Sequence, residues 1–78
     1  MLNLKTGILD KNYKIKGIEI KNKHMTQRLN ALGLTPGSKL KIKQKCLFSG
    51  PCILEINGQN LSIRSCDACH ILLEEAHG

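Results

Sequence analysis

Aromatic side chains are nearly missing from this sequence. Among 78 residues there is one Tyr, one Phe and no Trp. The core must therefore be aliphatic, from Leu, Ile and some Cys. Arginine is scarce as well: only Arg28 and Arg64 interrupt a basic set that is otherwise lysine. Readers of nucleic-acid bases use Arg for bidentate contacts and aromatic rings for stacking. With both in short supply, no nucleic-acid partner is expected, although a nucleic-acid-binding module stays as an alternative. No apolar run approaches the ~20 residues that span a bilayer. Residues 1–7 lack a hydrophobic run behind a basic start, so no secretory leader is expected. A cytoplasmic location follows as an expectation, with four cysteines mostly reduced. No GxxxxGK[ST] stretch occurs, so the chain is not expected to bind GTP itself. No Ser/His/Asp or Cys/His pair assembles with adequate spacing, so no enzyme activity is expected.

What is present is ordinary for one small globular domain, residues 1–78. Apolar residues make up 41% of the chain, which argues against disorder. A domain of this size buries only roughly 60–65% of its unfolded surface, so its margin is thin. The formal net charge of +6 suits an acidic protein patch, anionic lipid or plain solubility.

Short strands dominate the pattern. Leu2, Leu4, Ile8 and Leu9 suggest an apolar edge laid on the domain before Asp10-Lys-Asn12, a turn-like cluster. Residues 13–21 read as a strand whose apolar phase changes at Gly17, the mark of a β-bulge. Residues 24–32 read as a helix, with Met25, Leu29 and Leu32 on one face and Thr26 as a candidate cap. Gly33 suits the left-handed position past the helix, and Pro36-Gly37 suits a type II turn. Residues 39–46 alternate strictly, with Leu40, Ile42, Gln44 and Cys46 on one face and four lysines on the other. Residues 47–51 are a loop, 52–56 a strand, and Asn57-Gly58 a hairpin turn. Residues 59–64 return as a strand, 65–70 form a turn or one helical turn, and 71–75 close as a last strand. A symmetric hairpin would set 46 opposite 52, 44 opposite 54 and 42 opposite 56. Five strands with one short helix between the first and second predict a mainly β, small barrel or sandwich.

These elements carry a family likeness. Arg28-Leu-Asn-Ala-Leu-Gly-Leu-Thr-Pro-Gly37 resembles the "RL..LGL.PG" signature of the FeoA family. Tyr13–Ile18, Leu47-Phe-Ser-Gly-Pro51 and Asn57–Arg64 resemble its first strand, its Gly-Pro loop and its "G..LALR" strand. Ala68, Ile71 and Leu73 fall at its "A..I.V" ending. The likeness runs over roughly residues 4 to 75. It implies an SH3-like five-stranded barrel. It further implies a non-catalytic accessory of FeoB, a membrane ferrous-iron transporter with a cytosolic GTP-binding domain, and a place at the inner face of the cell membrane. Lacking a helix-turn-helix segment, the chain is not expected to act as one of the iron-dependent repressors that carry the same module. Self-association through exposed strand edges is a second expectation.

Residues Arg28, Leu32 and Leu34 at the helix end, and Lys39, Lys41 and Lys43 on the strand, are the expected partner contacts. Each has a plainer reading: Arg28 paired with an acidic neighbour, Leu34 in the core, the lysines as a solvated face. Arg28 as an arginine finger for a partner GTPase is the sharper, less favoured alternative.

The four cysteines are not required by the family motifs. Cys66-Asp-Ala-Cys69-His70 matches a haem-attachment pattern, but haem attachment needs export and an apolar pocket. Cys46/Cys52 and Cys66/Cys69 supply enough thiolates for one tetrahedral zinc site. For Cys46 and Cys52 the preferred reading is small buried hydrophobes. Cys66, Cys69 and His70, with His77 as a further donor, form a weak candidate site for Zn or Fe(II). No cofactor is required by the sequence. A thiolate metal-binding protein remains the second functional alternative.

Overall fold

The computed structural model describes residues 2–76. Five antiparallel strands form one sheet: β1 (Asn12–Ile18), β2 (Lys39–Gln44), β3 (Cys52–Ile56), β4 (Gln59–Ile63) and β5 (Ile71–Glu75), in the spatial order β4-β3-β2-β1-β5. A helix, α1 (Lys23–Ala31), connects β1 to β2, and a single helical turn, α2 (Ser65–Ala68), connects β4 to β5.

Alternation places one face of every strand in a common core. Tyr13 and Ile15, Leu40 and Ile42, Cys52, Leu54 and Ile56, Ile63, and Ile71 and Leu73 are all buried there. Leu4, Leu29, Leu34 and Ala68 close the core from outside the sheet. The sheet thus curls about its own apolar face, and the aliphatic core expected from the composition is what forms. Tyr13 is the exception to its aliphatic character. Its hydroxyl accepts the Ile8 N–H at 2.8 Å, so the buried oxygen is satisfied.

The phase change at Gly17 is a bulge. Ile15 pairs with Leu73 and Gly17 with Leu72, leaving Lys16 as the extra residue. Past it Ile18 and Ile20 still pack against the core. Asn57 and Gly58 have φ of 53° and 76°, the left-handed pair that a tight two-residue hairpin demands.

Three expectations need correction. Helix α1 is capped by Asn22, whose side chain accepts the Met25 N–H at 3.2 Å. Thr26 lies inside the helix, its hydroxyl donating to main-chain oxygens of Ile20 and Asn22. Strand β2 ends at Gln44, not Cys46, because a second bulge falls between Ile42 and Gln44. Ile42 pairs with Leu54, two positions from the symmetric register, and Gln44 is exposed. Up to Ile42 the slip is two residues and keeps each side chain on its face, so hydrophobic patterning does not distinguish the two registers; past it the one-residue bulge turns Gln44 outward. The third concerns Cys46 and Cys52, which form a disulfide rather than a pair of free thiols. Beyond the bulge the chain turns out and back, and the two Cα atoms come to 4.6 Å, within bridging range.

The N-terminal segment contributes only part of the apolar edge expected of it. Leu4 is buried, whereas Ile8 and Leu9 face solvent. The segment does run along the outer edge of β5. Leu4 N–H reaches the Ile71 oxygen at 3.1 Å and Leu73 N–H reaches the Leu2 oxygen at 3.0 Å. One outer strand of the sheet is therefore covered, and the other, β4, has only β3 as a sheet neighbour among the described residues.

Candidate partner-binding cleft

An open cleft of about 550 Å³ lies between α1 and the free edge of β4. Its formation follows from the helix. Leu29 sinks into the core, which turns Met25 and Leu32, one helical turn to either side, toward β4. Leu61 and Ile63 supply the opposing wall. The apolar floor is thus made of side chains that the core leaves half used: Leu32 is 41% exposed, and Met25 and Leu61 are half-buried.

Polar groups rim this floor. In the β3–β4 hairpin Ile56 faces Gln59 across the two-residue turn, a pair that exchanges both hydrogen bonds. Alternation then makes Leu54–Leu61 and Cys52–Ile63 the other bonded pairs. The N–H and C=O of Asn60 and Ser62 consequently point to the open edge, into the cleft they line. Arg28 projects from α1 and Arg64 follows β4. Arg64 donates from Nε and Nη2 to Asp67 Oδ2 at 3.3 and 3.2 Å. Arg28 enters no ion pair with a described residue, so the acidic neighbour expected on its helix is not there. Among the described residues the cleft therefore offers an apolar floor, main-chain donors and acceptors without a partner, and one guanidinium outside any ion pair. That combination suits an extended segment with an apolar side chain and a nearby carboxylate.

The residues singled out in the sequence divide three ways. Arg28 and Leu32 line the cleft. Leu34 is 0% exposed and belongs to the core, so in this fold it is not a surface anchor. Its N–H closes the helix on the Leu29 oxygen, and Gly33 at φ 98° turns it inward. Lys39, Lys41 and Lys43 lie away from the cleft, on the outer face of β2. Lys41 sits beside Glu55, and Lys43 pairs with Asp10 at 3.2 Å and Glu55 at 3.9 Å. Sequence reasoning missed Asn60, Leu61, Ser62 and Asp67 as cleft residues. Only the i, i+3 spacing of Arg64 and Asp67 hinted at the pairing; nothing local marks β4 as a sheet edge.

The candidate metal donors do not converge. Cys66 is exposed, and the Cys69 thiol, half-buried, donates to the Cys66 main-chain oxygen at 3.5 Å. His70 and His24 are exposed. Among the described residues no three His, Cys, Asp or Glu side chains are grouped as a metal would need. Cys46 and Cys52 are spent on each other. His77 lies outside the described residues. Among the described residues, no helix is long and apolar enough to cross a membrane.

Sheet, helix and cleft together define a small SH3-like β domain with an open edge. The chain belongs to the FeoA family: the FeoA domain matches residues 3–75. Its fold is shared with FeoA from Chlorobium tepidum, at a TM-score of 0.87 and 23% identity, over 99% of this chain and 72% of that one. It is similar to iron(II) transport protein A from Clostridium thermocellum, at a TM-score of 0.83 and 23% identity over 96% of this chain. This chain spans about half of that protein, 46% of its length. FeoA from Stenotrophomonas maltophilia, solved with zinc and described as a prokaryotic SH3 domain protein, aligns at a TM-score of 0.79 and 14% identity, over 95% of this chain and 91% of that one. A comparison with curated proteins gave no match.

Proposed function

We propose that this chain is a non-catalytic accessory of a FeoB-type ferrous-iron transporter, acting from the cytoplasm by binding the transporter's soluble portion. The observation that carries this reading is the cleft between α1 and β4, where an apolar floor, an open strand edge and Arg28 meet. The relatives supply the context. One is named an iron(II) transport protein, and the S. maltophilia protein has been put forward as a ferrous iron transport activating factor. An extended, acidic segment of the transporter's cytosolic portion would add to β4 as a further strand, its carboxylate meeting Arg28 and an apolar side chain meeting Leu32. Lysines on the outer face of β2 would steer the encounter without forming the contact.

The direct test is a pull-down of the transporter's cytosolic portion by the full chain, in GTP- and GDP-bound states. Association is expected, weakened at least about tenfold by Arg28→Glu, since charge-assisted contacts contribute about 1.5–3 kcal/mol. No association in either nucleotide state would sink the proposal. The same open edge supports self-association as a competing use of the cleft, and sedimentation at rising concentration separates the two.

A further inference from the structure

The sequence has a single Phe, and it stands in water. Phe48 is fully exposed and its neighbour Leu47 is 68% exposed, at the tip of the loop between β2 and β3. Such a pair on a loop tip is not leftover core. Most large apolar side chains are buried or half-buried against the core, so strong exposure is concentrated in a few places.

The loop is built to hold this shape. The Cys46–Cys52 disulfide closes its base, and Gly50 N–H reaches the Leu47 oxygen at 2.8 Å across the tip. Phe48 and Ser49 both take left-handed backbone, at φ 52° and 63°. For a bulky residue such as Phe this conformation is costly, and it persists only where its surroundings impose it. The result is that Phe48 is aimed outward rather than folded back over the sheet.

Cations lie beside the loop. Lys45 stands at the loop's base. Lys5 and Arg64 line a shallow depression with Ser49 and Pro51. Arg64 is already paired with Asp67, so the charge offered to an anionic surface rests on Lys5 and Lys45. A second exposed apolar turn, Ile8-Leu9, is tied to the end of β2 through Asp10 N–H and the Ile42 oxygen at 2.8 Å. An apolar tip beside basic side chains is the chemistry of a membrane–water interface: the Phe48 ring and the Leu47 side chain enter the acyl boundary and the lysines meet anionic headgroups.

We propose that the Leu47–Phe48 loop is a membrane-contact site, inserting into an anionic bilayer surface while the basic side chains beside it hold the headgroups. It goes beyond the transporter reading, since it uses a loop away from the α1–β4 cleft and a lipid rather than a protein as ligand. So small an apolar tip cannot anchor by itself; contact is reversible and needs both the apolar pair and the charge.

The absence of Trp gives the test a clean reporter. The full chain carrying Phe48→Trp is titrated with vesicles of phosphatidylcholine, with and without phosphatidylglycerol. A blue shift in emission is expected with the anionic vesicles alone, reversed by added salt. In the otherwise wild-type chain, Leu47→Ser lowers vesicle affinity about tenfold while its melting temperature holds, the size expected for losing one buried apolar side chain. Emission that stays at its value in water overturns the proposal. So does binding to neutral and anionic vesicles alike. A blue shift without vesicles, accompanied by a dimer in sedimentation, would reassign the tip to a second copy and overturn it too. In the pull-down above, Phe48→Ser is expected to leave association with the soluble transporter portion unchanged. Loss there would make the loop a protein contact. A failed pull-down with intact vesicle binding would remove the transporter reading alone.

Discussion

Leu32 and Leu34 stand two positions apart and live in different surroundings. Leu34 is in the core, and Leu32 borders the cleft. Truncation should separate them: Leu34→Ala should cost about 2–5 kcal/mol and Leu32→Ala about 1 kcal/mol or less, read by urea unfolding. Equal losses would mean that Leu32 is a core residue and the cleft is not open. Lys11 provides the residue-scale pH test. The hydrogen bond from its ammonium to the Glu75 carboxylate raises its pKa above the ordinary 10.5, desolvation pulls the other way, and the charge of Glu75 adds to the rise. With the folded value above the unfolded one, this contribution to stability is complete below pH 10.5 and fades as pH climbs through the folded pKa. Glu75→Gln should bring the Lys11 titration, followed by NMR, back down toward the ordinary lysine value.

At the scale of elements, α1 and the β2–β3 loop carry the predictions. Helix α1 is nine residues long, too short to persist in water on its own. Its position depends on Leu29 in the core and on Asn22 at its start. Asn22→Ala should cost about 1 kcal/mol in chemical unfolding, while Thr26→Ala, expected from sequence to be the cap, should cost less. The two residues swap roles because Asn22 precedes the first helical residue, Lys23, and Thr26 comes a turn too late. The disulfide closes a short loop, so chain entropy assigns it about 2 kcal/mol. Reduction, or Cys46→Ser, should lower the melting temperature by roughly 10 °C, since 1 kcal/mol corresponds to about 4–8 °C in a domain of this size. An unchanged melting temperature on reduction would show that the bridge adds nothing to the fold.

For the molecule as a whole, topology decides what is available for binding. The N-terminal segment covers β5, and the chain ends its sheet on the other side with β4 open. The exposed apolar groups fall into separate places: the cleft with Leu32, and the tips at Ile8-Leu9 and Leu47-Phe48. Strands from the whole sheet meet in one apolar cluster, and the core is expected to close without a metal. Purified protein exposed to a strong chelator should therefore keep its melting temperature. A fall of several degrees would revive the thiolate-metal reading at Cys66 and Cys69, which the fold leaves with only two neighbouring thiols.

The sequence by itself determined the local grammar. Period-two runs at 39–42 and 52–56, the Gly17 phase change, Gly33 and Pro36-Gly37 after the helix, and Asn57-Gly58 each act within a few residues, through backbone sterics and side-chain alternation. Those signals need no distant partner, so they are legible in one dimension. Tertiary structure alone decided the rest. Registers that differ by two residues expose and bury the same faces, so only packing chose Ile42 opposite Leu54. Cys46 and Cys52 met because the chain turns back on itself between them, after the bulge at the end of β2. Leu34 went inside and Leu32 stayed at the surface because the left-handed turn at Gly33 points one inward. The cleft exists because β4 is an edge, and which strand is an edge depends on how all five strands pair, information no single stretch of the chain contains.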